Sequence, residues 1–235
     1  MIHKFKNQTL RFEVEYRNRG SIRITMDHYG NIEVHAPKGT SMEKILSFIE
    51  GNWELIQQNL NEMKARLSGP QGKTYQPGET FLYLGKTYPI KIDQVETIER
   101  DHVEFKEDYL QIKVKQLEDE KIKQALKRFY HQQCKALVED SIAKHQRHFK
   151  TKPKGIRITD SKTTWGTCDS KQLLTFNWKL AMAPQKVIDY VVVHEMCHMV
   201  HLNHDRSFWR LVGKLFPDYK EQEKWLASSN WKMTV

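Results

Sequence analysis

The stretch that decides the fold is residues 185–202, which reads QKVIDYVVVHEMCHMVHL. Its apolar side chains fall nearly all round a helical projection, so we predict a buried central helix there. Pro184 precedes the stretch, and Asn203, which tolerates the left-handed conformation of a helix stop, follows it. Residues 194–198 within it fit the pattern H-E-x-x-H. The helix expected at the centre of the fold therefore carries the residues with the clearest chemistry.

His194 and His198 are four residues apart, so they lie one turn above each other on the same face of a helix. Two imidazoles at this spacing can bind one metal ion, and Glu195 lies beside the open coordination position, where it can accept a proton from activated water. The alternative is a set of satisfied core side chains. An apolar central helix is, however, a costly place for three ionisable groups without a purpose. The pattern therefore predicts a Zn²⁺ site with Glu195 as the catalytic base.

The third metal ligand decides the class of site. His204 follows His198 by six residues, which is the H-E-x-x-H-x-x-x-x-x-H spacing by which a turn returns a third imidazole to the metal. The metzincin pattern has Gly where this chain has His201. A carboxylate further on, Glu221 or Glu223, is a rival, and so is His201, although a straight helix does not arrange positions i, i+4 and i+7 tetrahedrally. We rank His204 first, Glu221 second and His201 third.

Outside the central helix, residues 1–117 are rich in strand patterns. Alternating polar and apolar residues predict strands at 11–16, 21–26, 31–35, 80–84, 87–92, 102–105 and 109–114, with hairpin turns at 27–31 and 85–86. A helix is predicted after Ser41, and 68–72 is a plausible linker. Further on, the patterns predict a helix at 119–150, followed by a strand at 156–160, a loop at 165–170 and a strand at 172–177. After the central helix, they predict a helix capped by Asp205 or Ser207 and a last helix at 218–227.

The net charge of +9 is concentrated in one part of the 235-residue chain. Residues 121–157 hold eleven Lys and Arg but only two acidic residues, Glu139 and Asp140, so this window carries the whole surplus. We expect its basic side chains to face solvent, and we read them either as a solvated helix face or as a surface for nucleic acid. Three Cys without a CxxC pair, no signal-like N-terminus and no long apolar run predict a cytoplasmic protein that does not bind membranes.

Several stretches of the chain resemble one known family. They are APKGT at 36–40, Trp53, YLGKTY at 83–88, WGTC at 165–168, LTFNWKL at 174–180, DYVVVHEMCH at 189–198, and Asn203-His204 with Phe208-Trp209. Together they resemble the YgjP-like zinc metallopeptidases, relatives of the SprT-like group, some of which act on proteins bound to DNA. The resemblance implies zinc on His194, His198 and His204, with Glu195 as the catalytic acid and base. The family usually reads R-W-G-S-C where this chain has Thr164 and Thr167.

We therefore predict an α+β protein in two regions. Residues 1–117 form a β-rich accessory region with one helix, and residues 118–235 form a zincin-like catalytic region around the HExxH helix. The expected function is hydrolysis of peptide or protein substrates, and the alternative is a nucleic-acid-associated protein that uses the basic 121–157 segment.

The residues expected to bind substrate surround the loop at 165–170. They are Trp165, Gly166, Thr167 and Asn177. The strand at 172–177 is expected to pair with an extended substrate, and His201 and Tyr219 are candidate oxyanion donors. Cys168 is a minor candidate for metal ligation, whereas Cys197 is expected to pack as a buried residue.

Overall fold

The computed structural model describes residues 1–6, 8–26, 32–67, 72–161 and 163–235. They contain both helices and strands, which confirms the predicted α+β class. They form two compact units, Met1–Gln71 and Gly72–Val235. This division falls at the end of the linker predicted at 68–72, and not at the predicted boundary between residues 117 and 118. No described helix is both long and apolar enough to cross a membrane.

The first unit contains small sheets and a helical segment. Its elements are β1 (Ile2–Phe5), β2 (Gln8–Arg11), β3 (Glu13–Arg17), β4 (Arg23–Met26), β5 (Ile32–Pro37), α1 (Met42–Gly51) and α2 (Trp53–Leu67). β4 pairs antiparallel with β5, as predicted, while the turn expected at 27–31 lies outside the described residues. The single helix predicted here is two helices, because the chain turns at Asn52, whose side chain donates to the Phe48 carbonyl.

The second unit contains two sheets packed with the longer helices. One sheet, of order β6-β7-β9-β8, is formed by β6 (Thr80–Tyr83), β7 (Lys86–Gln94), β8 (His102–Lys106) and β9 (Tyr109–Val114). The other, of order β10-β12-β11, is formed by β10 (Gly155–Thr159), β11 (Gly166–Cys168) and β12 (Leu173–Asn177). The helices are α3 (Asp119–His145), α4 (Gln185–His198), α5 (Arg206–Leu215) and α6 (Tyr219–Ser229).

One hydrophobic core joins elements from both sides of the predicted division at 117/118. Ile112 of β9, Leu126 of α3 and Val192 of α4 are all fully buried in the same apolar cluster. The strands at 80–114 therefore pack with α4 and belong to the same compact unit. The functional division at 117/118, which concerns the accessory and catalytic roles, stays a prediction.

The turn between β6 and β7 packs against the chain just before α4. The backbone N–H groups of Leu84 and Gly85 donate to the carbonyls of Ala181 and Met182, each at 3.0 Å. Gly85 has a φ of +80°, and a Cβ there would lie 2.6 Å from Cγ of Pro184. Glycine is therefore required at this position both by the backbone conformation and by the close approach. The contact fixes where the central helix begins.

Helix α4 is buried along most of its length, as predicted, although it ends at His198 and not near 202. Val192, Val193 and Met196 have no exposed surface. Asp189 on the same helix is also buried, and its carboxylate accepts from Lys144 Nζ of α3 at 2.6 Å and from the Gln185 amide at 2.9 Å. Burial raises the pKa of Asp189, but these hydrogen bonds outweigh it and hold the pKa below its usual value. The ion pair therefore ties α3 to α4.

The basic residues of the 121–157 window are divided between surface and interior contacts. Lys135, Lys144, Arg147 and Lys150 are exposed, whereas Lys121, Lys123, Lys127 and Arg128 are half-buried. Lys127 Nζ lies 3.2 Å from the Asp160 carboxylate, and Arg128 donates to the Asp101 carbonyl at 2.9 Å. Lys152, Lys154 and Arg157 are exposed as well, so the expectation that the basic side chains mostly face solvent holds for seven of the eleven in the window. A nucleic-acid partner stays a prediction.

We expect Lys144→Met to destabilise the protein, because it leaves the buried Asp189 carboxylate without a cation. Removing one partner of a buried pair costs about 3–5 kcal/mol, and because the Lys144 side chain is 63% exposed, solvent screening reduces the expected loss to about 1–2 kcal/mol. Urea unfolding at pH 7 measures this loss.

The control for this substitution is Lys135→Met. Lys135 is exposed, and its ion pair with Glu139 is long, at 3.9 Å, and therefore weak. It should stay within about 0.5 kcal/mol of the wild type. Because the pKa of Asp189 is lowered in the folded state, its stabilisation is present above the usual Asp pKa and is lost as the pH falls through the lowered value. Equal stability of the two variants at pH 7 would contradict the anchoring role.

Candidate metal centre

Three imidazoles converge at the end of α4. His194 Nε2 lies 3.0 Å from His204 Nε2, and His198 Nε2 lies 3.2 Å from the same atom. His194 and His198 are on successive turns of α4, whereas His204 follows the helix in the connection to α5. Their three ligand atoms all lie within 4.8 Å of one another. The sequence spacing thus brings together the three residues that were ranked first as metal ligands.

The chain after α4 is folded so that His204 returns to the helix end. The backbone N–H groups of Val200 and His201 both donate to the Cys197 carbonyl, which closes the last turn. Asp205, one of the two predicted caps, begins α5 and accepts from the Phe208 N–H at 2.9 Å, whereas the other candidate, Ser207, lies within the helix. His204 therefore occupies a short connection that is fixed at both ends.

Phe208 forms an apolar floor under the three imidazoles. Its buried ring lies 4.9 Å from the ring centroid of His194, 4.5 Å from that of His198 and 4.7 Å from that of His204. From the sequence alone, Phe208 is recognised only as part of a helix and of the family resemblance. Its contact with all three histidines depends on how α5 packs against α4, which cannot be predicted from the spacing of residues in the sequence.

Hydrogen bonds on the far side of two rings determine which nitrogen carries the proton. His198 Nδ1 lies 3.0 Å from the His201 carbonyl, which can only accept, so Nδ1 donates and Nε2 keeps its lone pair. His194 Nδ1 lies 3.4 Å from the Tyr190 hydroxyl, which itself donates to Glu223 Oε1 at 3.0 Å. The hydroxyl oxygen can therefore accept from His194 Nδ1. Metal-binding histidines usually have such partners, which fix the tautomer and the ring orientation.

Burial also keeps His194 and His198 neutral, which is the form that binds a metal. Burial, together with the neighbouring His198 and His204, lowers the pKa of His194 to about 4. Burial likewise lowers the pKa of His198, although the hydrogen bond to the His201 carbonyl opposes this shift. At neutral pH both rings of α4 therefore present unprotonated Nε2 atoms to the centre of the cluster.

The rival third ligands lie elsewhere among the described residues. His201 Nδ1 is 3.1 Å from the Ser207 hydroxyl, and the His201 carbonyl holds His198. Glu223 accepts from Tyr190, and Glu221 is exposed on α6 outside the histidine cluster. The donor set that the structure assembles is thus three imidazoles without a carboxylate.

Glu195 is buried beside this cluster, with 5% of its surface exposed. Burial raises the pKa of Glu195 to about 8. The side chain lies against the backbone of Gly166 in β11, where a Cβ would come within 2.7 Å of both Cγ and Oε1 of Glu195. Gly166, which was expected to bind substrate, therefore has a definite structural role in making room for the Glu195 carboxylate.

The strand expected to pair with substrate has no free edge. β12 lies between β10 and β11, with parallel pairing to the first and antiparallel pairing to the second. The edge strand beside Glu195 is β11, which falls in the segment predicted as a loop. Three residues are too few for an alternating pattern to be recognised, so the sequence pattern predicts a strand only for the longer neighbour, β12.

The remaining candidate substrate residues are divided between the cleft and the interior. Trp165 is half-buried and Thr167 is exposed on β11, whereas Asn177 is 5% exposed and has protein partners for both amide atoms. The Asn177 amide nitrogen donates to the Ser161 carbonyl at 2.7 Å, and its oxygen accepts from the Lys179 N–H at 3.0 Å. Asn177 thus differs from the expectation, because it braces the segment before β11 and is not free to bind substrate.

The two cysteines near the site are not arranged as ligands. Burial raises the pKa of Cys168 to about 11 and that of Cys197 to about 12, with Glu195 adding to both shifts. Neither thiol belongs to the histidine cluster, and both stay protonated at neutral pH.

Tyr219, one of the two candidate oxyanion donors, stacks on Trp209, with the two ring centroids 5.3 Å apart.

A pocket of about 410 Å³ opens beside His194 and Glu195. Its other lining residues come from β11 and the segment before it, from α4 and from α6: they are Thr164, Trp165, Gly166, Tyr190, Val191, Glu223, Leu226 and Ala227. The pocket is large enough for a side chain, and it lies directly against the Glu195 carboxylate and the histidine cluster.

The comparisons with known proteins place this chain among the metallopeptidases, which depend on a metal ion and act on peptides or proteins. More narrowly, the YgjP-like metallopeptidase domain matches residues 20–229, nearly the whole sequence, and the chain belongs to that family. Among solved structures, the metallopeptidase zymogen abylysin of Pyrococcus abyssi is similar at 21% identity and a TM-score of 0.35, over 43% of this chain and 99% of that one. A search of curated proteins found no match. The kinship with the SprT-like group stays a prediction.

We expect Gly166→Ala to lower peptidase activity without loss of metal. The added Cβ would displace the Glu195 side chain, and a misplacement of about 1 Å can lower turnover by about 100-fold. Metal analysis and peptide hydrolysis measure the two effects. The matched control is Gly155→Ala on β10, where the new Cβ meets only a Leu173 methyl group at 3.1 Å. Normal activity in Gly166→Ala would show that Glu195 does not depend on this contact.

Proposed function

We propose that this chain is a zinc metallopeptidase in which His194, His198 and His204 hold the metal and Glu195 is the general base. The observation that carries the proposal is the convergence of three Nε2 atoms beside a buried carboxylate. His198 also donates through Nδ1 to a backbone carbonyl, and His194 Nδ1 can donate to the Tyr190 hydroxyl. The arrangement supports a catalytic site better than a purely structural one, because structural zinc sites take four protein ligands and this cluster offers three.

The donor set fits zinc. Zinc binds histidine nitrogen at about 2.0–2.1 Å with tetrahedral geometry, so two nitrogens on one ion lie about 3.3 Å apart. The separations of 3.0 Å and 3.2 Å from His204 Nε2 are close to this value. Three neutral imidazoles also suit zinc, whereas magnesium and calcium prefer oxygen ligands.

When bound, zinc acts as a Lewis acid that lowers the pKa of water and polarises the peptide carbonyl. The rest of the chemistry belongs to the chain. Glu195 accepts a proton from the attacking water and returns it to the leaving amine. Burial makes its carboxylate a stronger base than an exposed one, and a nearby cation favours the ionised form. Gly166 keeps the space that this carboxylate occupies.

The substrate is proposed to lie along β11. This strand is at the edge of its sheet, directly beside Glu195, and an extended peptide can add to such an edge through main-chain hydrogen bonds. Main-chain pairing would hold the scissile bond near the histidine cluster whatever the peptide sequence. Side-chain preference would then come from pockets such as the one beside His194.

We expect His194→Ala, His198→Ala and His204→Ala each to weaken zinc binding. Loss of an outer hydrogen-bond partner of a ligand already costs about 10–100-fold in metal affinity, so loss of a ligand should cost at least 100-fold. Zinc content per chain after dialysis against a weak chelator measures this loss. His201→Ala is the matched control, since that imidazole faces Ser207. Full zinc content in His204→Ala would move the third ligand to another residue.

We expect Glu195→Gln to keep zinc and to lose peptidase turnover by about 100-fold or more, as removal of a general base usually does. Glutamine has nearly the same size, so the contact with Gly166 is preserved. Zinc content and kcat on a protein substrate such as casein are measured on the same preparation. Unchanged turnover would exclude Glu195 from proton transfer.

A further inference from the structure

The pocket beside the histidine cluster combines apolar walls with one carboxylate that is not part of the proposed chemistry. Trp165, Val191 and Leu226 provide apolar surface, and Glu223 of α6 lies in the same lining. The volume of about 410 Å³ falls within the range of ligand sites, which is roughly 300–1,000 Å³, so a long side chain has room to enter. Because His194 and Glu195 share the pocket wall, its occupant lies next to the reacting bond.

The charge of Glu223 is not compensated by another described residue. Its Oε1 accepts a hydrogen bond from the Tyr190 hydroxyl at 3.0 Å, and no described Lys, Arg or His forms an ion pair with it. A neutral hydroxyl orients the carboxylate without neutralising it. An apolar side chain that filled the pocket would therefore remove water from this charge and give it no partner, which is unfavourable.

We propose that this pocket is a subsite for a lysine or arginine side chain of the substrate, next to the bond that is cleaved. This inference rests on the proposed peptidase function. The apolar walls would pack against the methylene stem, and Glu223 would pair with the cationic end. Tyr190 holds the Glu223 carboxylate in place on one side of the pocket and contacts His194 on the other. An acidic substrate residue at the same position would be repelled.

The test uses blocked hexapeptides that carry a single lysine, moved through the six positions, and a matched series with norleucine. Norleucine keeps an unbranched aliphatic side chain but has no charge. Binding is measured at equilibrium with the zinc-loaded Glu195→Gln variant, in which Glu223 is the carboxylate that remains in the pocket lining. We expect lysine to bind about tenfold more tightly than norleucine at one position, and this preference should shrink as salt is added.

The second arm removes the charge of Glu223 without removing its contact with Tyr190. In the Glu195→Gln background, Glu223→Gln retains an oxygen that can accept from the hydroxyl, and the ratio of lysine to norleucine affinity should fall to about one. Glu221→Gln, on the exposed side of the same helix, should keep the tenfold ratio. Equal binding of the two series, binding of neither, or an unchanged ratio in Glu223→Gln would overturn the subsite.

Cleavage of the same peptides by the zinc-loaded wild type, followed by mass spectrometry, separates the two proposals. Cleavage without any lysine preference in binding or in rate leaves the peptidase function standing and overturns the subsite. A lysine preference in binding that Glu223→Gln abolishes, without cleavage of any peptide, supports the recognition of a cationic side chain and contradicts the proposed function.

Discussion

The burial of α4 is the constraint on which the rest of the structure depends. A helix that is apolar on nearly every side packs well only at the centre of a core, yet this one also carries two histidines and a glutamate near its C-terminal end. Ionisable groups in such a place need partners or a ligand. The surrounding elements frame these groups: β11 makes room for Glu195, α5 places Phe208 under the imidazoles, and α6 brings Glu223 to Tyr190, whose hydroxyl contacts His194.

The same burial keeps His194 and His198 in the neutral form that binding of the proposed metal would require. Removal of water favours the neutral imidazole, and each outward hydrogen bond from Nδ1 leaves Nε2 with its lone pair at the centre. His194 and His198 are thus held in the protonation state and orientation that metal binding would require, whereas His204 is exposed. A pair of fully exposed histidines would lose protons and rotamer freedom at the moment of binding, which would weaken their affinity.

The sequence predicts the features of this site that depend on local spacing. The pattern at 194–198, the return of His204 and the Asp205 cap each involve residues within a few positions of one another, and each is found where expected. The α+β class follows from the alternation of strand and helix patterns along the chain.

What the sequence does not predict depends on packing between distant segments. The sheet of β6–β9 shares a core with α4, so the boundary between compact units lies at 71/72. β11 is too short to show a period, and the role of Asn177 depends on the chain folding back at Ser161. Glu223 shows only as a rival ligand, because the sequence gives no sign that Tyr190 lies within hydrogen-bonding distance of it.

The contact between the β6–β7 turn and the start of α4 has a consequence for synthesis on the ribosome. Leu84 and Gly85 bind the carbonyls of residues almost one hundred positions later, and Tyr190 needs Glu223 near the end of the chain. Domains fold in order as they emerge, and contacts between distant positions form late. The unit Met1–Gln71 can therefore fold while the second unit is incomplete, and a growing chain cannot assemble the histidine centre and its supporting hydrogen bonds until the residues through Glu223 have left the ribosome.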